Sequence, residues 1–597
     1  MPGLTLWMKA LPDAQDRIRF DAAQAAMVHA PDYAATVCVS QPGLLVGHVN
    51  YAEYPIQFLN AEGCVIGFEG CVYNKDAAQL DSDLREIAAL ADQDSAELAA
   101  RIGRWTQEAQ GEYVVVMLWP EKKRLMAFTD PFGRLPLYFY ADDACLLLAR
   151  EAKVVQRLKP SPRFDRIGWA QTIWVGFPLA QRTLFEDVSR CPAAMLLSAS
   201  AEGGRIRTQV RSLFTFRFDE TDEPGRDIED YAREVVASFT NVCRTWGRHP
   251  GFTRNVLSLS GGHDSRAIAG ALTRAGIEYD TATLQDASGD NIANVPLAQE
   301  VARLLGVHWS LSKLKEPDQA LMDRLVEMKD GLNYVGIADM VEYTEGMAAT
   351  WGRKALCLTG DGGDRVLPSL QPPRGITSLD ALAGTVARRF TRTSMDLAER
   401  LTRLQPGTLA GELRQTLQAC PEEDLAQRLT HFALYEHSRK WLYEGEDRYR
   451  FFLWQTSPFF SFPFFRDCMR IPNRLKVGNR LYRKVLAGLC PECDGVAFSV
   501  DGVHTSAAWM ACRRMAADVL PESIKAVLRQ SLRRRRYATP KNAVEYLRAQ
   551  FASGTPLSAL LSEEALAEFL GNTTQNSFQF LWTLVTLERL SRRATGA

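Results

Sequence analysis

The run Ser258-Leu259-Ser260-Gly261-Gly262-His263-Asp264-Ser265 decides how the rest of this chain is read. It follows the apolar stretch Asn255-Val256-Leu257, which predicts a buried strand. It precedes Arg266-Ala267-Ile268-Ala269-Gly270-Ala271-Leu272, which predicts a helix. A strand that turns through two glycines into a helix start is an anion site. Glycines let the backbone approach the ligand, and first-turn N–H groups have no partner within the helix. The hydroxyls of Ser260 and Ser265 add donors, and the Asp264 carboxylate can hold a magnesium ion against phosphate oxygens. This is not a Walker-type phosphate loop, because no Gly-Lys-Ser/Thr follows the glycines.

Further along stands Ala355-Leu356-Cys357-Leu358-Thr359-Gly360-Asp361-Gly362-Gly363-Asp364-Arg365. Again an apolar strand ends in a glycine-rich turn, now with two carboxylates. Ligands of open α/β sheets bind beyond the carboxyl ends of the strands, so two such turns can face one ligand. Asp264 and Asp364 can then share magnesium on a pyrophosphate group. The first run resembles the S-G-G-x-D-S pyrophosphate loop of enzymes that cleave ATP between the α and β phosphates to make an acyl-adenylate. With the second run, the chain resembles the asparagine synthetase superfamily, whose second motif is close to S-G-E-G-x-D-E. The resemblance implies that Asp364 is a metal ligand and that Asp361 stands at the family's Glu position. The motif's final Glu is replaced by Arg365.

The resemblance extends further. Ser457-Pro458-Phe459-Phe460-Ser461-Phe462-Pro463 and Arg470-Ile471-Pro472 resemble the segment leading to a catalytic lysine in a K-x-x-x-R pattern. Arg480-Leu481-Tyr482-Arg483-Lys484 fills that place with the basic residues interchanged, so Arg480 and Lys484 are both candidates for the α-phosphate contact. ATP contacts are implied at Ser258, Ser260, Gly261, Gly262, Asp264 and Ser265, at Leu284, and at Thr359 and Gly360. His263, at the variable position of the loop, is read as a neighbour of the phosphates. In the N-terminal part, Glu69-Gly70-Cys71-Val72-Tyr73-Asn74 and Asp130-Pro131-Phe132-Gly133-Arg134-Leu135-Pro136-Leu137-Tyr138 resemble landmarks of the family's glutamine-hydrolysing domain. Between them, Gly111-Glu112-Tyr113-Val114-Val115-Val116-Met117 reads as a strand.

One departure bears on function. The glutaminase form carries a cysteine directly after the initiator Met, whereas this chain begins Met1-Pro2-Gly3 and its first cysteine is Cys38. Without a thiol beside a free α-amine there is no nucleophile with its own base. The domain is expected to keep its fold and to have lost ammonia production. In this the chain resembles the β-lactam synthetases and lasso peptide cyclases, where the amine belongs to the substrate.

A charged Pro/Gly bridge, Asp219-Glu220-Thr221-Asp222-Glu223-Pro224-Gly225-Arg226-Asp227, marks a domain boundary, and Ser198-Ala199-Ser200-Ala201-Glu202-Gly203-Gly204 reads as a tight polar turn and a second linker signal. We place a glutaminase-like domain at 1–218 and an ATP-binding, amide-forming domain at 219–597. Apolar spacing predicts a helix over 228–245, a strand over 279–284 and a helix over 298–306 that ends at glycine. This alternation argues for a parallel sheet. The fold class is α/β. The resemblance implies an N-terminal Ntn-hydrolase-like αββα sandwich and a C-terminal adenine nucleotide α-hydrolase domain with a helical C-terminal region.

The chain has 597 residues, with 70 Lys and Arg against 71 Asp and Glu and a net charge of −1. Such a balance gives no bias towards nucleic acid or anionic membranes. No run approaches the roughly eighteen apolar residues that span a bilayer, and the first residues do not form a signal peptide. Twelve scattered cysteines read as reduced thiols in a cytoplasm. Cys490-Pro491-Glu492-Cys493 with His504 lacks the four ligands of a structural zinc and reads as thiols. Residues 371–378 form a breaker-rich loop placed to act as a lid, and Arg533-Arg534-Arg535-Arg536-Tyr537 is either a solvated helix end or a docking patch for an acidic partner.

The expected activity is ATP- and Mg2+-dependent amide formation. A carboxylate attacks the α-phosphorus and an amine then attacks the adenylate, with Asp361 placed to orient or deprotonate the amine. The leading substrate is a lasso precursor peptide, its amine closing onto an Asp or Glu side chain, with a leader-binding protein and a leader protease as partners. A small-molecule β-lactam or asparagine-type synthetase and a non-catalytic peptide-binding scaffold are the alternatives.

Overall fold

The computed structural model describes residues 1–90, 95–218, 220–287, 291–371, 376–500, 503–505, 541–552, 556–571 and 578–595. The strand Gly111–Trp119 is buried throughout. Successive side chains of a strand face opposite sides. Here Val114, Val116 and Leu118 enter one core while Tyr113, Val115 and Met117 enter another. A strand apolar on both faces needs a layer on each side. Two six-stranded sheets supply one of them, all their pairings antiparallel. The helices Ala77–Ala89 and Ser95–Glu108 cover one sheet through Leu84, Ile87, Ile102 and Trp105. Asp16–Ala25 and Ala152–Leu158 cover the other. The result is an αββα sandwich.

The tight turn expected within 198–204 is present, but it closes a hairpin rather than linking domains. Met195–Glu202 and Arg205–Ser212 pair as a hairpin, with Glu202 opposite Arg205. Gly203 and Gly204 make the turn at φ 58° and 75°. Both central residues of this tight hairpin turn need the left-handed region, which glycine enters without penalty. The small polar residues here alternate along a strand rather than break one.

Beyond the charged bridge, Asp227 caps the helix Ile228–Gly247 by accepting from the N–H groups of Glu229 and Asp230. The five-stranded sheet that follows is wholly parallel. Its order is Trp309–Lys313, Asp280–Gln285, Arg254–Ser258, Ala355–Leu358, Trp454–Thr456. The first strand in sequence is therefore central. The helices Ile228–Gly247, His263–Arg274 and Arg480–Leu489 pack together beside it. Helices dominate after residue 379, ending with Phe578–Thr595. Among the described residues no helix is long and apolar enough to cross a membrane.

The helix Arg439–Tyr449 lies between the two parts. Its Glu446 meets Arg134 of the sandwich at 2.9 Å, and its Asp447 meets Arg150 at 2.8 Å, all four side chains fully buried.

Candidate functional site

The strand order fixes where the site forms. From Arg254–Ser258 the chain moves to one side of the sheet, and it returns to the other side at Ala355–Leu358. Ligands of open α/β sheets bind outside the carboxyl ends of the strands at such a switch point. Both glycine-rich turns leave these two adjacent strands, so they meet.

The helix begins at His263, earlier than the apolar pattern implies, so Asp264 and Ser265 occupy its first turn. The loop is braced from within. Ser260 N–H donates to Ser265 Oγ at 3.0 Å, the two hydroxyls lie 2.9 Å apart, and Gly262 N–H donates to Ser260 Oγ at 3.3 Å. The Ser258–Leu259 end is held by the neighbouring strand, where Leu259 N–H donates to Ala282 O and Thr283 Oγ1 donates to Leu259 O. Leu284 lies half-buried at the end of that strand, its carbonyl accepting from Asn291 Nδ2 at 2.9 Å.

The second turn approaches closely because it lacks side chains. A Cβ on Gly360 would lie 2.7 Å from Ser265 N, and one on Gly363 would lie 2.6 Å from the Asp264 carboxyl carbon. Gly362 sits at φ 91° against the Phe460 ring. Thr359 Oγ1 donates to Asp361 Oδ2 at 2.8 Å while accepting from Gln455 Nε2 at 2.6 Å. Ser457 Oγ donates to the Asp361 carbonyl at 2.5 Å. Asp361 is thus fixed from both the second turn and the last strand.

Three carboxylates share this space. Burial, then the charge of Asp364, pushes Asp264 up to about 7. Burial likewise raises Asp361. Asp364 is exposed and pairs with Arg365 at 3.1 Å. Among the described residues no group of three or more His, Cys, Asp or Glu side chains forms a ready metal cage. A magnesium ion shared with phosphate asks for less, one or two carboxylates with the remaining ligands from phosphate and water. Two mutually repelling carboxylates at a helix start fit that demand, and a divalent cation would offset the part of the Asp264 shift that comes from Asp364.

The helix Arg480–Leu489 reaches the site through Tyr482, whose hydroxyl donates to Asp264 Oδ1 at 2.5 Å and whose ring lies 5.7 Å from that of His263. Lys484 instead meets Glu229 of the helix Ile228–Gly247, and Arg480 is exposed on the same outer side. The sequence reading missed Tyr482. The signal lay in the apolar positions Leu481, Val485 and Leu489, which bury one face and turn Arg480 and Lys484 outward.

At the head of the strand Gly3–Lys9 the sandwich is closed. Glu69 accepts from Leu4 N–H at 3.0 Å and from Arg150 at 2.6 Å, and Tyr54 donates to it at 2.5 Å. Arg150 also meets Asp447, which Lys329 meets at 2.5 Å. A Cβ on Gly3 would lie 2.3 Å from Arg150 Cγ. Burial pushes up the thiols of Cys38 and Cys64 to about 11, and those of Cys145 and Cys191 to about 12, with Cys71 well above its usual range. Cys490 and Cys493 are also buried. The side chain of His504, residues 372–375 of the breaker-rich loop, and the basic run at 533–537 lie outside the described residues.

Residues 40–210 match the glutamine amidotransferase domain family. Among solved structures, the chain is similar to glutamine phosphoribosylpyrophosphate amidotransferase from B. subtilis complexed with ADP and GMP, at 10% identity over 62% of this chain and 83% of that one, TM-score 0.23. It is also similar to NMN synthetase from Francisella tularensis, at 13% identity over 36% of this chain and 94% of that one, TM-score 0.19. No curated protein matches the chain. Residues 40–210, which lie within the antiparallel sandwich, are therefore similar to glutamine amidotransferase domains.

Proposed function

We propose that this protein forms amide bonds at the expense of ATP through an acyl-adenylate, and that its substrate is a peptide whose own amine closes onto an Asp or Glu side chain as a macrolactam. The observation that carries the amide-forming reading is the meeting of two glycine-rich turns and three carboxylates at the switch point of a parallel sheet. N–H groups of residues 261–265 receive the phosphates. Asp264 and Asp364 would hold magnesium, which supplies charge stabilisation for the leaving pyrophosphate. A carboxylate oxygen of the substrate attacks the α-phosphorus and pyrophosphate departs. The substrate nitrogen then attacks the acyl carbon, AMP departs, and the nitrogen gives up a proton. We assign the orienting of that nitrogen to Asp361, whose carboxylate is held by Thr359 and whose carbonyl is held by Ser457.

The closed head of the sandwich supports an amine drawn from the substrate rather than from glutamine. The filled space around Gly3 and the uniformly raised thiols leave no poised thiolate there. When amine and carboxylate belong to one molecule, holding them together can remove on the order of 7–11 kcal/mol of the barrier.

The test is release of pyrophosphate and AMP from ATP and Mg2+, with and without a candidate precursor peptide and its processing protease, followed by mass analysis. Peptide-dependent AMP and a product lighter by one water are expected. AMP formed with aspartate or another small amino acid, and an unchanged peptide, would replace the macrolactam with a small-molecule amide. No AMP under any condition would sink the adenylating reading.

A further inference from the structure

The seam between the sandwich and the helix Arg439–Tyr449 holds more buried cation than carboxylate. Arg190, on the strand Ser189–Arg190, is 4% exposed and donates through Nη1 to Glu444 Oε1 at 2.7 Å. Its other two nitrogens, Nε and Nη2, are buried with no hydrogen-bond partner. Glu444 is already shared, since Tyr138 donates to the same oxygen at 3.0 Å and Lys329 lies 2.7 Å from the other one. Arg439 is also buried and donates through Nη2 to the carbonyl of Cys191, the residue after Arg190. Its Nε has no partner, and among the described residues no carboxylate lies at ion-pair distance from it. Lys440, the next residue, is buried and meets Glu436 at 2.7 Å. A small cavity lies here, lined by Tyr138, Phe177, Arg182, Arg190, Lys440 and Glu444 among others. Arg182 is itself paired with Asp165 at 2.7 Å and with Glu412 at 3.2 Å.

A buried polar group without a partner calls for a bound water or ion. The deficit at this seam is of charge as well as of hydrogen bonds. Three cations, Arg190, Arg439 and Lys440, are met by two carboxylates, Glu436 and Glu444, and Lys329 draws on one of these. Burial pushes Arg439 down to about 10 and Lys440 to about 8, yet both stay charged at neutral pH. A buried charge without a counter-charge is costly. Water would fill the bonds and leave the charge, whereas one small anion answers both. Nε and Nη2 project from one edge of the guanidinium as a fork that takes an anion side-on. The room is about that of one water-sized sphere, which suits a monatomic anion better than a phosphate or a carboxylate.

We propose that this cavity is a site for one chloride-sized anion, seated on Arg190 Nε and Nη2 beside Lys440, which ties the sandwich to the helix Arg439–Tyr449.

The test is equilibrium dialysis of the full-length protein against radioactive chloride at neutral pH, with sodium gluconate holding the ionic strength. Wild type should take up one chloride per chain saturably, and bromide should displace it where the larger gluconate does not. Arg190→Lys keeps a cation beside Glu444 and loses the fork, and it should bind chloride at least about tenfold more weakly. Arg439→Met removes the cation that no carboxylate answers and should weaken binding by about three- to tenfold. Circular dichroism of both variants must match wild type. Wild-type crystals soaked in sodium bromide locate the ion whether or not the variants fold, and an anomalous peak beside Arg190 is expected. No saturable uptake by wild type, undiminished uptake in a folded Arg190→Lys, or water alone beside Arg190 in the bromide-soaked crystal overturns the site. None of these readings uses ATP, so the site stands or falls apart from the adenylating reading.

Discussion

The two halves of this molecule each gather charge at the end of a sheet, and they treat it in opposite ways. Where the sandwich meets the helix Arg439–Tyr449, Glu69, Arg150, Asp447 and Lys329 alternate in sign, are fully buried or nearly so, and satisfy one another. At the parallel sheet, Asp264, Asp361 and Asp364 carry one sign, and the glycines between them let the two turns approach closely. Paired buried charge closes a site, because removing either partner strands the other. Like charge with a single cation, Arg365 on Asp364, suits a ligand that supplies the opposite sign. On the adenylating reading, the contrast separates a region of paired charge from one left to meet a ligand.

The sharpest way to break this comparison is Arg150→Met. It leaves Glu69 and Asp447 buried without their shared cation, and the expected loss is about 3–5 kcal/mol of stability. Denaturant unfolding reads it, and nucleotide binding per folded molecule should stay unchanged. A fully stable Arg150→Met protein would mean that the cluster is not what joins the sandwich to the helix Arg439–Tyr449.

Asp264→Asn should do the reverse. ATP-dependent pyrophosphate release should fall by about a hundred- to a thousandfold, since charge stabilisation at the leaving group is lost. Thermal stability should hold or rise. The pH dependence adds a second reading. Asp264 is raised to about 7 in the fold, above an unfolded value of about 3.9. Its contribution to stability is therefore full below about 3.9 and is lost as pH rises through about 7. The melting midpoint without metal should decline over that window in wild type and decline less in Asp264→Asn, and Mg2+ should offset the decline in wild type alone. A decline of equal size in both proteins would assign it to other groups.

Gly363→Ala tests the space rather than the charge. Its Cβ would meet the Asp264 carboxyl carbon at 2.6 Å, so the two turns must separate. Displacement of catalytic groups by about 1 Å costs on the order of a hundredfold in rate. Wild-type turnover in this variant would show that the turns have slack.

These sites were unequally legible in the sequence. The strand, loop and helix around Gly261 and Gly262 are contiguous, and an apolar run ending in glycines is a local signal. So is the turn at Asp361 and Asp364. The ion cluster was not legible, because Glu69, Arg150, Lys329 and Asp447 lie far apart in the chain and charged residues read as surface. The stretch at 198–204 was legible as a turn but not as part of a strand, for a different reason. Small polar residues suggest a linker, and only the pairing of Met195–Glu202 with Arg205–Ser212 makes them a strand.

The smallest expected effects lie on the helix Arg480–Leu489, where family resemblance and packing point to different residues. Resemblance makes Arg480 or Lys484 the contact to the α-phosphate, whereas the folded chain turns both outward and presents Tyr482 to Asp264. Tyr482→Phe removes one hydrogen bond to a carboxylate, worth about 1.5–3 kcal/mol at most, so turnover should fall by roughly ten- to a hundredfold. Lys484→Ala breaks an exposed pair with Glu229 worth about 0–1 kcal/mol, and turnover should stay within about twofold. Both are read by pyrophosphate release at saturating ATP. If the order is inverted, so that Lys484→Ala is crippled and Tyr482→Phe is not, Lys484 must leave Glu229 and swing to the nucleotide during turnover. That result would return the α-phosphate contact to the basic residues and reduce Tyr482 to a brace for Asp264 in the ligand-free protein.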